Sequence, residues 1–165
     1  MHDRERFERL FADHGRDVLA YASRRTDAAT AEEIVAEVFV VAWRRRRRVP
    51  KTEPVLWLFG VARRLLANEW RAARRRDALA ERLSALARDR AADDAAGGPH
   101  PLWEALSRLK PLDREVLMLT AWEGLDGAQA GVVLGCSAQA VHTRLHRARA
   151  RLAAELDRDV TRSVS

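Results

Sequence analysis

The chain has 165 residues, of which 47% are hydrophobic, enough for a packed core and too many for a wholly disordered chain. Its single cysteine, Cys136, excludes an internal disulfide framework, and no apolar run reaches the roughly 18 residues that span a bilayer. The first residues are charged and lack the apolar stretch of a secretory signal, so we expect a cytoplasmic protein.

The net charge of +6 is unevenly distributed along the chain. Residues 1–76 carry 18 basic and 11 acidic residues, whereas the net charge is −2 over residues 77–100 and +1 over residues 101–165. A localised cationic surface favours a polyanionic partner, either nucleic acid or acidic lipid. Of the 30 basic residues 28 are arginine, a bias that a GC-rich genome also produces. The arginine run at 44–48 therefore has a compositional explanation as well as a phosphate-binding one.

Helical spacing of apolar residues recurs along the chain, and no segment shows sustained strand alternation. In the first half, the pattern predicts three long helices, over residues 7–25, 31–48 and 57–76. Thr30 is the predicted N-cap of the second helix, where Glu33 would complete a capping box. Two prolines in the segment VPKTEP predict a loop over residues 49–54.

The third predicted helix has one apolar side and one cationic side. At 100° per residue, the arginines that gather opposite the apolar side are Arg63, Arg64, Arg71 and Arg74. Trp57 and Trp70 lie at the two margins between these sides. Cations beside aromatic rings suit single-stranded DNA, which offers phosphates and unstacked bases together. The alternative is that the tryptophans brace the helices as core residues.

Residues 77–100 are rich in Ala, Asp, Gly and Pro, which predicts a flexible linker whose first residues are compatible with a helix. Three or four helices are predicted to follow, in the segments LWEALSRL, LDREVLMLTAWEG, GAQAGVVLG and SAQAVHTRLHRARARLAAEL. The predicted fold is therefore all-α, with two small helical domains over residues 1–76 and 101–165.

The most specific pattern in the chain lies over residues 127–147. Gly131 is placed where two helices cross closely, and Gly135 at a turn where a positive φ is easy only for glycine. Val141 is placed to fill the angle between the helices, and Ser137 to cap the second one. This spacing predicts a helix-turn-helix.

One narrow apolar stripe would hold the second helix of this motif, which leaves its other side chains free for base edges and phosphates. Gln139, Thr143, His146 and Arg147 point away from the stripe, and His142 and Arg144 lie on its flanks. Such a face is also the solvated side of an ordinary bundle helix, but the glycine spacing favours DNA. His142 and His146 lie one turn apart, as two metal ligands would, but no third ligand accompanies them, so we predict no metal site.

Three segments resemble bacterial extracytoplasmic-function (ECF) sigma factors, in the order found in that family. They are AEEIVAEVFVVAW at 31–43, WLFGVARRLLANEWR at 57–71 and the whole of 109–152. The resemblance implies sigma region 2 over residues 1–76, region 4 over residues 101–165, and a linker between them. It implies a protein that binds core RNA polymerase and directs promoter-specific initiation, with neither a cofactor nor catalytic residues of its own.

The resemblance also assigns residues to partners. Docking on the β′ coiled coil of polymerase is implied for Glu32, Glu33, Ile34, Glu37 and Phe39. The alternative is that Ile34 is a core residue and the glutamates are merely solvated, and both can hold because a helix has two faces. Capture and melting of the −10 element are implied for Arg48, Lys51, Thr52, Trp57, Arg63, Arg64, Asn68, Arg71 and Arg74. The helix-turn-helix would bind the −35 element through Ser137, Gln139, Ala140, His142, Thr143, Arg144 and Arg147. The other implied partners are the polymerase β subunit and an anti-sigma factor, with no small-molecule substrate.

Two other classes of protein remain open at this point. A repressor or activator that binds only duplex DNA would leave the glutamates at 32–37 and the Trp/Arg helix unexplained. A nuclease that uses those glutamates lacks support from any His/carboxylate set or Gly-rich phosphate loop.

The chain departs from the family pattern at Ala36, Arg64, Asn68, Ala130 and Ala140, so the promoter sequence is not predictable.

Overall fold

The computed structural model of the chain describes residues 2–84 and 100–163, which form seven α-helices and no strand. The chain divides into two compact units, Met1–Asp94 and Ala95–Ser165. The helices of the first unit are α1 (His2–Ser23), α2 (Ala28–Arg44) and α3 (Pro54–Ser84). Those of the second are α4 (Pro101–Arg108), α5 (Pro111–Ala121), α6 (Gly127–Leu134) and α7 (Ala138–Ser163). The predicted all-α class is confirmed.

The three helices of the first unit pack against one another through apolar stripes at helical spacing. The largest fully buried side chains include Val18 and Tyr21 of α1, Val38 of α2, and Leu58 and Leu66 of α3. The ring of Tyr21 stacks on Phe59 of α3, with the ring centroids 4.8 Å apart. Each leucine buried in this way contributes about 1.5–3 kcal/mol to stability.

The N-cap of α2 differs from the prediction. Asp27 is the cap: its carboxylate accepts hydrogen bonds from the Thr30 N–H at 2.9 Å and from the Thr30 hydroxyl at 2.8 Å. The backbone hydrogen bond from Thr30 is the main cause that lowers the pKa of Asp27 below its usual value. The prediction of Thr30 with Glu33 was wrong, because the carboxylate three residues earlier is the stronger acceptor and alanines extend the helix back to it.

α3 begins earlier and ends later than the sequence predicts. Pro54 opens the helix, where its fixed φ suits the first turn and its missing N–H leaves no donor unsatisfied. The helix continues to Ser84, so residues 77–84 of the predicted linker are helical, consistent with their content of Ala, Leu, Glu and Arg. The rest of the predicted flexible linker, residues 85–99, lies outside the described residues.

The second unit packs α4, α5 and α6 against α7. Arg114 of α5 holds the end of α4, because its guanidinium donates to the carbonyl oxygens of Leu106, Ser107 and Leu109 at 2.9–3.2 Å. Arg108 at the end of α4 donates to both carboxylate oxygens of Asp159 on α7, at 2.8 and 3.0 Å. This hydrogen bonding raises the pKa of Arg108.

Asp27→Ala is expected to lower the melting temperature near neutral pH more than Thr30→Ala does, because only the first removes the cap of α2. Folding lowers the pKa of Asp27, so the Asp27 cap stabilises the folded state at pH values above the ordinary pKa of 3.8. That contribution is lost as the pH falls through the lowered value, so the gap between wild type and Asp27→Ala should narrow in acid. Thermal unfolding across pH measures this, and a larger effect of Thr30→Ala would contradict the assignment.

Candidate nucleic-acid interfaces

The junction of α6 and α7 is built on two glycines. A Cβ added to Gly131 would lie 2.5 Å from the carbonyl oxygen of Cys136, so only glycine permits this close approach. Gly135 has a φ of 72° and ends α6 in the left-handed conformation. The N–H of Cys136 donates to the carbonyl oxygen of Gly131 at 3.0 Å, which closes the turn. Both glycine predictions are confirmed.

The first turn of α7 has the predicted cap and the predicted apolar plug. The Ser137 hydroxyl oxygen accepts a hydrogen bond from the Ala140 N–H at 3.1 Å. Val141 is fully buried, and Leu145 and Ala148 continue the buried stripe along α7. The arrangement is a helix-turn-helix, with α7 as the helix that presents its polar side.

The groove beside α7 is lined by six of the seven side chains that the sequence predicts for −35 recognition. They are Ser137, Gln139, Ala140, Thr143, Arg144 and Arg147. His142, the seventh, is also exposed, but it lies against the start of α6: a Cβ at Gly127 would approach its Nε2 atom to 2.7 Å. Lys110, at the start of α5, lines the same groove and adds a cation that the sequence pattern did not indicate.

A buried carboxylate at the base of this groove was missed by sequence reasoning. Asp113 of α5 is 2% exposed, and its carboxylate accepts a hydrogen bond from the Arg151 guanidinium of α7. The Arg144 guanidinium lies 3.9 Å from the other carboxylate oxygen. Arg144 therefore faces a protein carboxylate as well as the groove. Since a buried charge needs a partner, Asp113 fixes how α7 lies on α5.

The start of α6 also carries a feature that the sequence analysis overlooked. The Asp126 carboxylate accepts from the Gln129 N–H at 2.8 Å, and the Gln129 side chain accepts from the Asp126 N–H at 3.0 Å. This reciprocal pair is a capping box, and its sequence signal is the spacing of the two residues. It fixes the start of the helix that supports α7.

The cationic side of α3 is where the sequence places it. Arg64, Asn68, Arg71 and Arg74 are exposed, and the Arg71 guanidinium donates to the Asn68 side-chain oxygen. We call this surface the α3 cationic face. Arg63, Trp57 and Trp70 are half-buried at its edge. Because each tryptophan is partly buried and partly exposed, the two readings of these rings, packing and base stacking, are compatible.

The loop between α2 and α3, residues 45–53, lies next to the start of α3. Arg48, Lys51 and Thr52 are exposed on it, whereas the Val49 side chain is buried. Glu53, the last loop residue, has a φ of 47°, a left-handed conformation that non-glycine residues rarely adopt. The loop and the α3 cationic face together contain all nine residues predicted for −10 recognition.

The residues predicted for polymerase docking separate into two groups. Glu32, Glu33 and Glu37 are exposed on α2, and we call them the α2 glutamate ridge. Ile34 and Phe39 are each only 4% exposed. Ile34 is therefore a core residue, as the alternative interpretation of the sequence held, and the structure moves Phe39 from the surface to the core as well. Phe39 packs edge-to-face against Phe7 at 6.2 Å and Phe11 at 4.8 Å, and Ile34 lies on the stripe that faces the other helices.

Two family models match the chain: Sigma-70 region 2 over residues 10–76 and Sigma-70 region 4 over residues 100–152. The RNA polymerase sigma factor CnrH of Cupriavidus metallidurans is 34% identical, over 93% of this chain and 87% of its own. The ECF RNA polymerase sigma factor SigL of Mycobacterium tuberculosis is 32% identical, over 84% of this chain and 82% of its own. The chain belongs to the ECF sigma factors.

Solved structures agree with this membership. CnrH in complex with the cytosolic domain of CnrY matches with a TM-score of 0.62 and 30% identity, over 94% of this chain and 90% of that one. The sigma factor RpoE in complex with the anti-sigma factor NepR from Bartonella quintana shares the fold, with a TM-score of 0.64 and 21% identity over 93% and 98%. As an ECF sigma factor, the protein directs promoter-specific transcription initiation by RNA polymerase, as its resemblance implied.

Membrane-spanning helices and metal-binding clusters are both absent from residues 2–84 and 100–163. None of the helices in these ranges is both long enough and apolar enough to cross a membrane. The same ranges hold no cluster of three or more His, Cys, Asp or Glu side chains placed to bind a metal ion. Cys136 is exposed at the turn of the helix-turn-helix.

Gly131→Ala is expected to destabilise the second unit by about 1–3 kcal/mol, because the added methyl meets a backbone oxygen that cannot move without opening the turn. Gly15→Ala in α1 is the matched control, since its added Cβ would make only ordinary contacts, at 3.8 Å, with the Phe11 ring. Urea unfolding and binding to duplex promoter DNA measure both effects. Equal stability and equal duplex affinity for the two variants would refute the close crossing at Gly131.

Proposed function

We propose that the two units divide promoter recognition between paired and unpaired DNA. The second unit would hold the duplex −35 element with α7, and the first would bind core polymerase and capture one strand of the −10 element. The observation that carries this proposal is that each unit has its own nucleic-acid surface of a different type. One is a helix-turn-helix groove, and the other is a cationic face edged by aromatic rings.

The −35 proposal rests on the exposed side of α7. Gln139, Thr143 and Arg147 follow one another at a spacing of about one helical turn, so they lie along the side that a major groove would receive. Side chains of these types hydrogen-bond to base edges, whereas Lys110 and Arg144 at the sides of the groove suit phosphates. Ser137 and the amides at the start of α7 offer a further phosphate contact.

The −10 proposal rests on the α3 cationic face and the 45–53 loop. Base stacking on an aromatic side chain is worth about 1–3 kcal/mol, comparable to the few kcal/mol needed to extrude a base. Capture of unstacked bases by Trp57 and Trp70 therefore offsets melting without ATP. The exposed arginines of the face would hold the strand by its phosphates, while Lys51 and Thr52 on the loop would contact an extruded base.

The α2 glutamate ridge is the proposed docking surface for polymerase. Its three carboxylates lie on the exposed side of a helix whose other side is fixed in the core by Ile34 and Phe39. A rigid acidic ridge complements a basic helix pair such as the β′ coiled coil, and that complementarity speeds association as well as fixing register. Contact with the polymerase β subunit completes the proposed complex.

Regulation and location follow from the partners. The structures that match include sigma factors bound to the anti-sigma factor NepR and to the cytosolic domain of CnrY. We infer that an anti-sigma protein also restrains this chain. We place the protein in the cytoplasm because polymerase and the chromosome are there, and we assign nucleotide addition to the core enzyme and no reaction to this chain.

Thr143→Ala and Arg147→Ala should each weaken recognition of the −35 element by about 1–3 kcal/mol, because each removes a contact to a base edge. The promoter sequences for this test are first identified by sequencing the transcripts that the wild-type holoenzyme makes. Arg158→Ala is the matched control, since Arg158 is exposed on the distal part of α7 and pairs with Glu155. Only Thr143→Ala and Arg147→Ala are expected to transcribe equally from promoters with intact and with altered −35 elements. If the control loses the same discrimination, the base contacts lie elsewhere.

Trp57→Ala combined with Arg63→Ala should impair opening of the −10 element while duplex binding is retained, because stacking and phosphate contacts are lost together. Leu79→Ala combined with Arg82→Ala is the matched control, since it removes an exposed apolar side chain and a cation farther along the same helix. Permanganate reactivity of −10 thymines in the holoenzyme complex measures opening. Unchanged reactivity in the Trp57→Ala, Arg63→Ala variant would show that these two residues have only a structural role.

A further inference from the structure

The first two turns of α1 are tied to the loop that precedes α3. The Arg6 guanidinium donates a partly buried hydrogen bond of 2.8 Å to the carbonyl oxygen of Val49, a residue 43 positions away. Asp3 accepts a hydrogen bond of 2.8 Å from the Arg46 guanidinium, again across 43 positions. That bond lowers the pKa of Asp3 below its usual value. These two contacts join α1 to the start and the middle of the loop.

The contacts belong to one packed cluster. The Val49 side chain is 6% exposed and lies with Phe7, Leu10 and Ala42 around a small cavity that Arg6 and Asp3 also line. The Arg46 guanidinium lies 5.1 Å from the centroid of the Trp43 ring, and that ring packs edge-to-face against Phe7 at 5.2 Å. The loop is therefore held by apolar packing of one side chain and by two guanidinium hydrogen bonds.

The loop has a shape that needs such support. Residues 45–53 lie outside the helices, and the left-handed backbone of Glu53 persists only where surrounding contacts hold it. Lys51 and Thr52, the exposed loop residues proposed to contact an extruded base, come two and three positions after Val49. A shift of the Val49 carbonyl would therefore displace both of them.

We propose that Arg6 and the Asp3–Arg46 pair are positioning residues, which set the 45–53 loop in its strand-capturing shape before DNA arrives. This inference rests on the proposed function of the loop. A loop that is already ordered loses less conformational entropy when it binds, so the bound strand is held more tightly without any new contact to DNA. The effect should therefore appear at the −10 element and be absent at the −35 element.

Direct phosphate binding by Arg6 and Arg46 is the competing explanation, and it predicts a different dependence on salt. A lost phosphate contact lowers the slope of log affinity against log salt by about 0.7 for single-stranded DNA. A lost positioning contact weakens binding at every salt concentration and leaves the slope unchanged. An exchange of charges between Asp3 and Arg46 gives a second distinction, since it restores the pair while moving the cation off the loop.

The test uses the full chain assembled with core polymerase, a single-stranded −10 oligonucleotide and a duplex −35 fragment. Arg6→Gln should weaken oligonucleotide affinity about tenfold, as expected when one part-buried hydrogen bond from a charged group is lost. Asp3→Arg and Arg46→Asp should each weaken it only a few-fold, because that pair is solvent-exposed. The double variant Asp3→Arg with Arg46→Asp should restore affinity to near wild type. Arg4→Gln, which breaks only an exposed pair with Glu8 on the same helix, is the control and should have no effect. Duplex affinity and salt slope should stay constant throughout.

If the double variant does not recover oligonucleotide affinity and its salt slope is lower, the arginines bind phosphates directly and the positioning role is overturned. Wild-type affinity in Arg6→Gln and in both single charge variants would overturn it as well. A wild-type holoenzyme that opens no promoter would instead refute the proposed function, and this inference with it. If the wild type and all the variants open promoters equally well, the positioning role is refuted and the proposed function stands.

Discussion

Burial of one side of each helix is the constraint from which every functional surface of this protein follows. α2 buries Ile34 and Phe39, so its glutamates are left on the outside. α3 buries Leu58 and Leu66, so its arginines are exposed on the opposite side. α7 buries Val141 with the two apolar residues that follow it at helical spacing, and its polar residues line a groove. Since a helix rotated about its axis would expose apolar side chains and bury charges, packing alone fixes which side chains a partner meets.

The surfaces left outside differ in charge and in rigidity, which suits them to different partners. A carboxylate ridge on a packed helix attracts a basic protein surface and repels the DNA that the neighbouring arginines attract. On α7, the Asp113 carboxylate pairs with Arg151 and faces Arg144, so part of the positive charge beside the groove is already balanced within the protein. If α7 binds DNA as proposed, that balance would leave base contacts, rather than net charge, to decide where it binds.

Several features set by nearby residues were predictable from the sequence, although the capping box of Asp126 and Gln129 was overlooked, and features set by distant residues were not predictable. Gly131, Gly135 and Ser137 lie within seven positions of one another, so their spacing alone predicted the turn and its cap. The Arg151–Asp113 and Arg6–Val49 contacts join residues 38 and 43 positions apart, and no local pattern brings them together. The N-cap of α2 was misplaced because Asp27 and Thr30 are both good caps, and only the path of the chain decides between them. For Ile34 the sequence left both a core and a docking role open, and Phe39 was assigned to a surface by resemblance, whereas packing against the other helices of the unit buries both.

Binding of the purified chain to core RNA polymerase tests the account most directly, because the roles proposed for both DNA surfaces require that enzyme. Co-elution of the chain with core polymerase, followed by transcription from genomic DNA fragments, measures the complex and its function in one preparation. The account predicts a stable complex and transcripts whose start sites share two upstream elements. A chain that binds duplex DNA but neither co-elutes with core polymerase nor changes its transcripts would contradict it.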